Sequence, residues 1–163
     1  MLQEQRLMQI SIRGISKSKL TAPGVKRAVN FYATRLGISS RLAKKLSLNI
    51  IIEHKPFGYA GLCNYGDDHI RPKEFRLRIL DQGIHETLCT LAHEMVHVKQ
   101  YAKGELRDLM SKDNMVVWQG ERRFISNDTE EAYLSQPWEQ EAFGLEKKLK
   151  NAFVYQEQKH GRW

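Results

Sequence analysis

The segment His93-Glu94-Met95-Val96-His97 sets two histidines four residues apart with a glutamate beside the first. On a helix, side chains four apart leave from one face, so two imidazoles at this spacing can share a zinc ion and the neighbouring carboxylate can act on a water there. The bland alternative is a pair of surface histidines on an ordinary amphipathic helix. A catalytic zinc usually takes a third protein ligand and keeps one position open. His54, His69, His85 and His160 qualify by residue type alone, and Cys89, one turn before His93, suits a small packed residue better than a ligand. The stretch PWEQEAFGLEKKL offers Glu139 and Glu141. Its apolar positions Trp138, Ala142, Leu145, Leu149 and Ala152 recur at helical spacing, and Glu141 lies about 60° from the middle of that stripe against about 100° for Glu139. A carboxylate beside a buried stripe needs a cation or hydrogen-bond donors, which favours Glu141 as the third ligand. The competing role for both is that of solvated acids at a helix N-terminus.

These residues need elements that hold them. Asp81 is read as the start of a long helix ending near Gly104, with Ile84, Leu88, Leu91, Met95, Val98 and Ala102 on its core stripe and His93 and His97 almost opposite, beside Glu86, Cys89, Thr90 and Gln100. That second, polar face is suited to line a cleft. Upstream, LNIIIEH, GYAGLCNYG and EFRLRIL read as three strands of one sheet, the last alternating with Phe75, Leu77 and Ile79 on one face. A further strand is expected around Met8 to Ile12, followed by a Ser/Lys-rich loop. Thr21 and Pro23 open a basic amphipathic helix that Gly37 stops, and Ser39 or Ser40 caps a shorter one running to Leu46. VVWQGERRF reads as a hairpin turning at Gln119-Gly120, and a final helix follows Pro137. Trp118 and Trp138 are expected to pack in the core or at the sheet edge.

The whole chain has 163 residues, 41% of them apolar, which suits one domain, residues 1–163, with its own core. Its two cysteines, Cys63 and Cys89, outline neither a disulfide framework nor a Cys-rich zinc module. No stretch reads as a signal peptide or membrane span, so a cytoplasmic protein with no membrane partner is expected. The net charge of +7 is concentrated at one end: residues 1–45 carry ten Lys/Arg against one acid. Lys17, Lys19, Lys26, Arg27, Arg41, Lys44 and Lys45 are therefore candidates for contact with nucleic acid or an acidic partner. Nothing in the sequence points to a particular oligomeric state.

LAHEMVHVKQ resembles the active helix of gluzincin metallopeptidases, in particular small SprT-like and tailed-phage-encoded members, and PWEQEAF is similar to their second motif. The resemblance implies an α+β, zincin-like fold: a small antiparallel or mixed sheet packed on the His-Glu-x-x-His helix and a C-terminal helix. It also implies an edge strand, GYAGLCNYG or a neighbour, that aligns an extended substrate. The implied activity is peptide-bond hydrolysis with one zinc ion per chain held by His93, His97 and Glu141, with Glu94 as general base and a protein or peptide as substrate. A phage-encoded member would act in the host cytoplasm. Tyr101, Tyr133 and His160 are the side chains that could donate to the oxyanion. The chain has no Cys-rich zinc ribbon of the kind found in many SprT-like proteins. The other class of function is a zincin-fold binding protein that uses its basic N-terminal segment, with zinc structural or activity lost.

Overall fold

In a computed structural model, which describes residues 8–15, 19–68, 70–109, 114–126 and 128–163, strand β1 (Gln9–Arg13) leads to helices α1 (Ala22–Arg35) and α2 (Ser40–Ala43). Strands β2 (Ser47–Glu53), β3 (Gly61–Tyr65) and β4 (Glu74–Leu80) precede the long helix α3 (Ile84–Ala102). Three short strands, β5 (Leu106–Asp108), β6 (Met115–Trp118) and β7 (Glu121–Phe124), and helices α4 (Glu130–Leu134) and α5 (Pro137–Lys159) complete the chain. The architecture is α+β.

The first four strands form one mixed sheet in the order β1-β2-β4-β3. β1, β2 and β4 are parallel, and β3 pairs antiparallel with β4 at the edge. A parallel neighbour needs a crossover, and α1 and α2 supply it between β1 and β2. Alternation then sorts the side chains: Leu48, Ile50 and Ile52 of β2 and Phe75, Leu77 and Ile79 of β4 are buried, while their sequence neighbours are partly or fully exposed. Helix α3 packs against β3 and β4, and α1 and α5 pack against α3. The central core joins Val25, Val29 and Tyr32 of α1, Leu88, Leu91 and Met95 of α3, and Leu149 and Phe153 of α5.

Local chemistry explains the helix boundaries. Thr21 Oγ1 accepts from Gly24 N at 3.1 Å and Ser39 Oγ from Leu42 N at 3.1 Å, so both caps satisfy a backbone donor that the first turn leaves free. The expected short helix through Leu46 stops at Ala43. Helix α3 begins at Ile84, three residues after the expected Asp81, because Gly83 stands at φ 91°, outside helical space. Asp81 instead braces the first turn, its Oδ1 accepting from Gly83 N and from Thr87 Oγ1.

The expected hairpin joins β6 and β7, with Gln119 at φ 48° and Gly120 at φ 85°, the left-handed pair that a two-residue hairpin turn requires. It is part of a second sheet, β5-β6-β7, absent from the sequence reading because β5 is only three residues long. Leu106, Val116, Trp118 and Trp138 make a small separate core, with the two indole rings 6.0 Å apart. Tyr65 donates to Asp108, tying the edge of the large sheet to the small one.

Of the basic residues singled out by charge, Lys19, Lys26, Arg41, Lys44 and Lys45 are exposed. Arg27 is committed elsewhere: its guanidinium donates to both oxygens of the buried Glu157 at 3.0 and 3.1 Å, so it is a structural cation and not a free phosphate contact. Lys17 and His69 lie outside the described residues. Among the described residues no helix is long and apolar enough to cross a membrane.

Candidate metal centre

Helix α3 is buried on both faces. Its apolar stripe meets the sheet and α1, and its histidine face is covered by α5, so His93, Glu94 and His97 are only 7, 5 and 8% exposed. The polar face expected to line an open cleft is thus largely roofed. What reaches it from α5 is Glu139, itself 6% exposed.

His93, His97 and Glu139 form the group that could hold a metal ion among the described residues. His93 Nε2 lies 3.1 Å from Glu139 Oε2, His97 Nε2 lies 3.3 Å from Glu139 Oε1, and the two Nε2 atoms are 3.2 Å apart. A tetrahedral ion with bonds of about 2.0–2.1 Å holds its ligand atoms roughly 3.3 Å from one another, so the triangle has the size such an ion demands. The outer nitrogens confirm the orientation. His93 Nδ1 is 2.8 Å from Glu146 Oε2 and His97 Nδ1 is 2.8 Å from Gln100 Oε1, and both partners are acceptors. Each neutral ring therefore carries its proton on Nδ1 and turns the Nε2 lone pair inward, the tautomer a metal needs.

Electrostatics follow from this packing. Burial opposes charge on the histidines, but Glu139 and Glu94 outweigh it, so both are pushed up, His97 to about 9. Burial also opposes charge on Glu139, yet hydrogen bonds from the two imidazoles hold it at about 2. Without a metal the trio is a tight ion-paired cluster. Glu94 goes the other way: burial raises it, with the nearby His97 and His93 pulling partly back.

The sequence-based choice of Glu141 as third ligand is overturned. Glu141 Oε1 accepts from Lys99 Nζ at 2.7 Å and from Gln100 Nε2 at 3.0 Å, away from the histidines. Its work is one step removed, because Gln100 Nε2 also donates to the Trp138 carbonyl, and the two acceptors together fix the amide so that its oxygen faces His97. Glu146 and Gln100 were not singled out as site residues. The signal for Glu146 was its place two turns after Glu139 on the same helix.

The hollow beside the trio, about 190 Å³, is lined by Glu94, His97 and Glu139, by Tyr59, Gly61, Leu62 and Cys63 from the edge-strand region, and by Tyr101, Tyr133 and Trp138. Tyr133, on α4, sits near Glu139, and burial together with that carboxylate pushes its hydroxyl up. Tyr101 also faces the hollow and packs on Tyr65, ring centroids 5.1 Å apart. His160 does not belong: it ends α5, 21 residues and about 30 Å of helix from Glu139, and is exposed. Cys89 is buried beside Glu146, which with burial lifts its thiol to about 11, and it is no part of the metal group. His54 pairs with Asp81, and His85 meets Trp163 edge-to-face.

No protein-family model matches the chain, and no curated protein or solved structure matches it. The chemistry of the centre rests on its own residues.

Proposed function

We propose that this chain is a zinc-dependent metallopeptidase of the gluzincin type. The observation that carries the reading is the buried triangle of His93 Nε2, His97 Nε2 and the Glu139 carboxylate at tetrahedral spacing, with Glu94 on the same helix and in the same hollow. Two imidazoles and a carboxylate suit zinc with one position left for a fourth ligand. Zinc, when bound, supplies a Lewis acid that polarises a carbonyl and brings the pKa of water down to about 7.

The chain's residues do the rest. Glu94 accepts a proton from the attacking water and delivers it to the departing amine. The Tyr133 hydroxyl lines the same hollow near Glu139, which supports it as the donor to the developing oxyanion. An extended peptide can pair with the free edge of β3, whose residues Gly61 to Cys63 border the hollow. A protein that only binds would need no general base at position 94, which disfavours the non-catalytic alternative.

The test is Glu94→Gln. The parent should carry about one zinc per chain and cleave some member of a broad panel of unfolded proteins in a chelator-sensitive way. The variant should keep its zinc and fold and lose cleavage, with the loss in kcat more than in KM. Equal rates in parent and variant, with zinc bound in both, would refute the assignment.

A further inference from the structure

At the C-terminal end of α3, away from the metal trio, Arg41, Lys45, Arg71 and Lys103 surround a hollow of about 340 Å³ floored by Leu42 and Ala102 and bordered by Ser39. The four cations come from three separate stretches of chain. No acid lines the hollow, and none of the four forms an ion pair among the described residues. Other cations among the described residues, Lys26, Lys73 and Arg122 for example, are also outside ion pairs, so what sets these four apart is that they share one hollow. Arg27 and Arg162 share Glu157, Arg78 has Glu53, and Lys99 has Glu105 and Glu141. Four like charges around one hollow repel one another, and an anion relieves that repulsion.

Two of the cations also lie against glycines. The Arg71 Nε lies 3.0 Å from the position a Cβ on Gly104 would take, so the guanidinium rests against a glycine backbone at φ 72°. Lys103 Nζ similarly lies 3.6 Å from the Cβ position of Gly37.

We infer that this hollow is a binding site for the phosphate backbone of a nucleic acid strand. One phosphate needs only one or two of these cations, whereas a run of phosphates can use all four and the exposed Lys44 beside them. The surplus of ten basic residues over one acid in residues 1–45 suits a polyanion in the same way. The site differs from the one charge counting suggested: of that set only Arg41 and Lys45 line the hollow, Lys19, Lys26 and Arg27 do not, and Arg71 and Lys103, distant in sequence, join it.

The experiment uses the full-length protein and a fluorescent single-stranded DNA of about 20 nucleotides, titrated by anisotropy at several salt concentrations. Four phosphate contacts predict a log–log salt slope near −3, from about −0.7 per neutralised phosphate on a single strand. Arg71→Glu with Lys103→Glu should weaken binding at least about tenfold and flatten the slope by one or more. The exposed Arg122 on β7 is the control, and Arg122→Glu should change neither. Arg71→Ala, milder towards folding, should move in the same direction as the double variant, with thermal melts confirming folded protein. Absence of binding at low salt, or an equal loss in Arg122→Glu, overturns the site. A second arm titrates inorganic phosphate by calorimetry: saturable phosphate binding lost in Arg71→Ala, without oligonucleotide binding, would mean a free-phosphate site and overturn the nucleic-acid assignment. None of these variants touches the metal trio, so the outcome is independent of the peptidase reading.

Discussion

Glu139 and Glu141 stand two positions apart on α5 and point about 160° away from each other, and that rotation decides which one meets the histidines. Glu139 faces α3 and carries the metal contacts, whereas Glu141 reaches Lys99 and Gln100. Glu139→Gln should therefore abolish stable zinc binding. Glu141→Gln should cost roughly 10–100-fold in affinity, the usual effect of a residue that orients a ligand through another. Metal analysis after competition with a chelator measures both, and an effect at Glu141 equal to that at Glu139 would contradict the geometry. The histidine pair was legible in the sequence because its spacing is fixed within one helix. The glutamate was not, because it depends on the rotational phase of a second helix. Of the stripe read there, Trp138, Ala142 and Leu149 are buried but Leu145 and Ala152 only partly, so the packed face is rotated from the one expected and carries Ala142, Leu149 and Phe153 interleaved with Glu139, Glu146 and Glu157. Carboxylates on a buried stripe look like a polar face when only apolar residues are counted.

Among the elements, the edge strand β3 and helix α3 come into unusually close contact at Gly61. A Cβ there would lie 2.6 Å from Glu94 Oε1 and 2.6 Å from Thr90 Cγ2, so only glycine lets the strand press against the proposed base. Gly61→Ala should displace the Glu94 carboxylate and lower turnover by roughly tenfold or more, since shifts of this size misalign reacting groups. Zinc content should stay at parental level, and the overpacking should cost about 1–3 kcal/mol of stability. Measuring kcat, metal content and the unfolding midpoint on one preparation separates these effects. Unchanged turnover would show that Glu94 tolerates the displacement. The strands β2 and β4 and the helices α1, α3 and α5 were legible because each has enough residues for a period to show. The sheet order was not, because it depends on which strands meet in space, and β5 and α4, of three and five residues, are too short to carry a pattern.

For the whole molecule, the metal centre couples zinc, protons and stability. In the metal-free protein His97 is raised from 6.5 to about 9 and Glu139 lowered from 4.5 to about 2, two expressions of one ion-paired cluster. The sign of each fixes a window. A histidine whose folded pKa lies above its unfolded one stabilises the fold fully below the unfolded value, here 6.5, and loses that contribution as the pH rises through about 9. The depressed Glu139 contributes above 4.5 and is lost as the pH falls towards about 2. Metal-free protein should therefore be best stabilised by this cluster between pH 4.5 and 6.5 and lose on the order of 3 kcal/mol of that contribution towards pH 10. Zinc reverses the trend. Ligation needs both imidazoles neutral, so below pH 9 each ion bound must expel the His97 proton, and that of His93 where it too is charged, and apparent affinity should rise at least about tenfold per pH unit up to that point. Thermal unfolding of metal-free and zinc-saturated protein across this range should show two curves that diverge as the pH rises, the metal-free one falling and the gain from zinc growing. His97→Ala should remove both the fall and the divergence, which separates this cluster from the other titrating groups of the chain. Parallel curves, or a metal-free protein equally stable at pH 6 and pH 10, would show that His97 is not held protonated by Glu139 and Glu94, and would remove the link between charge and metal in this centre.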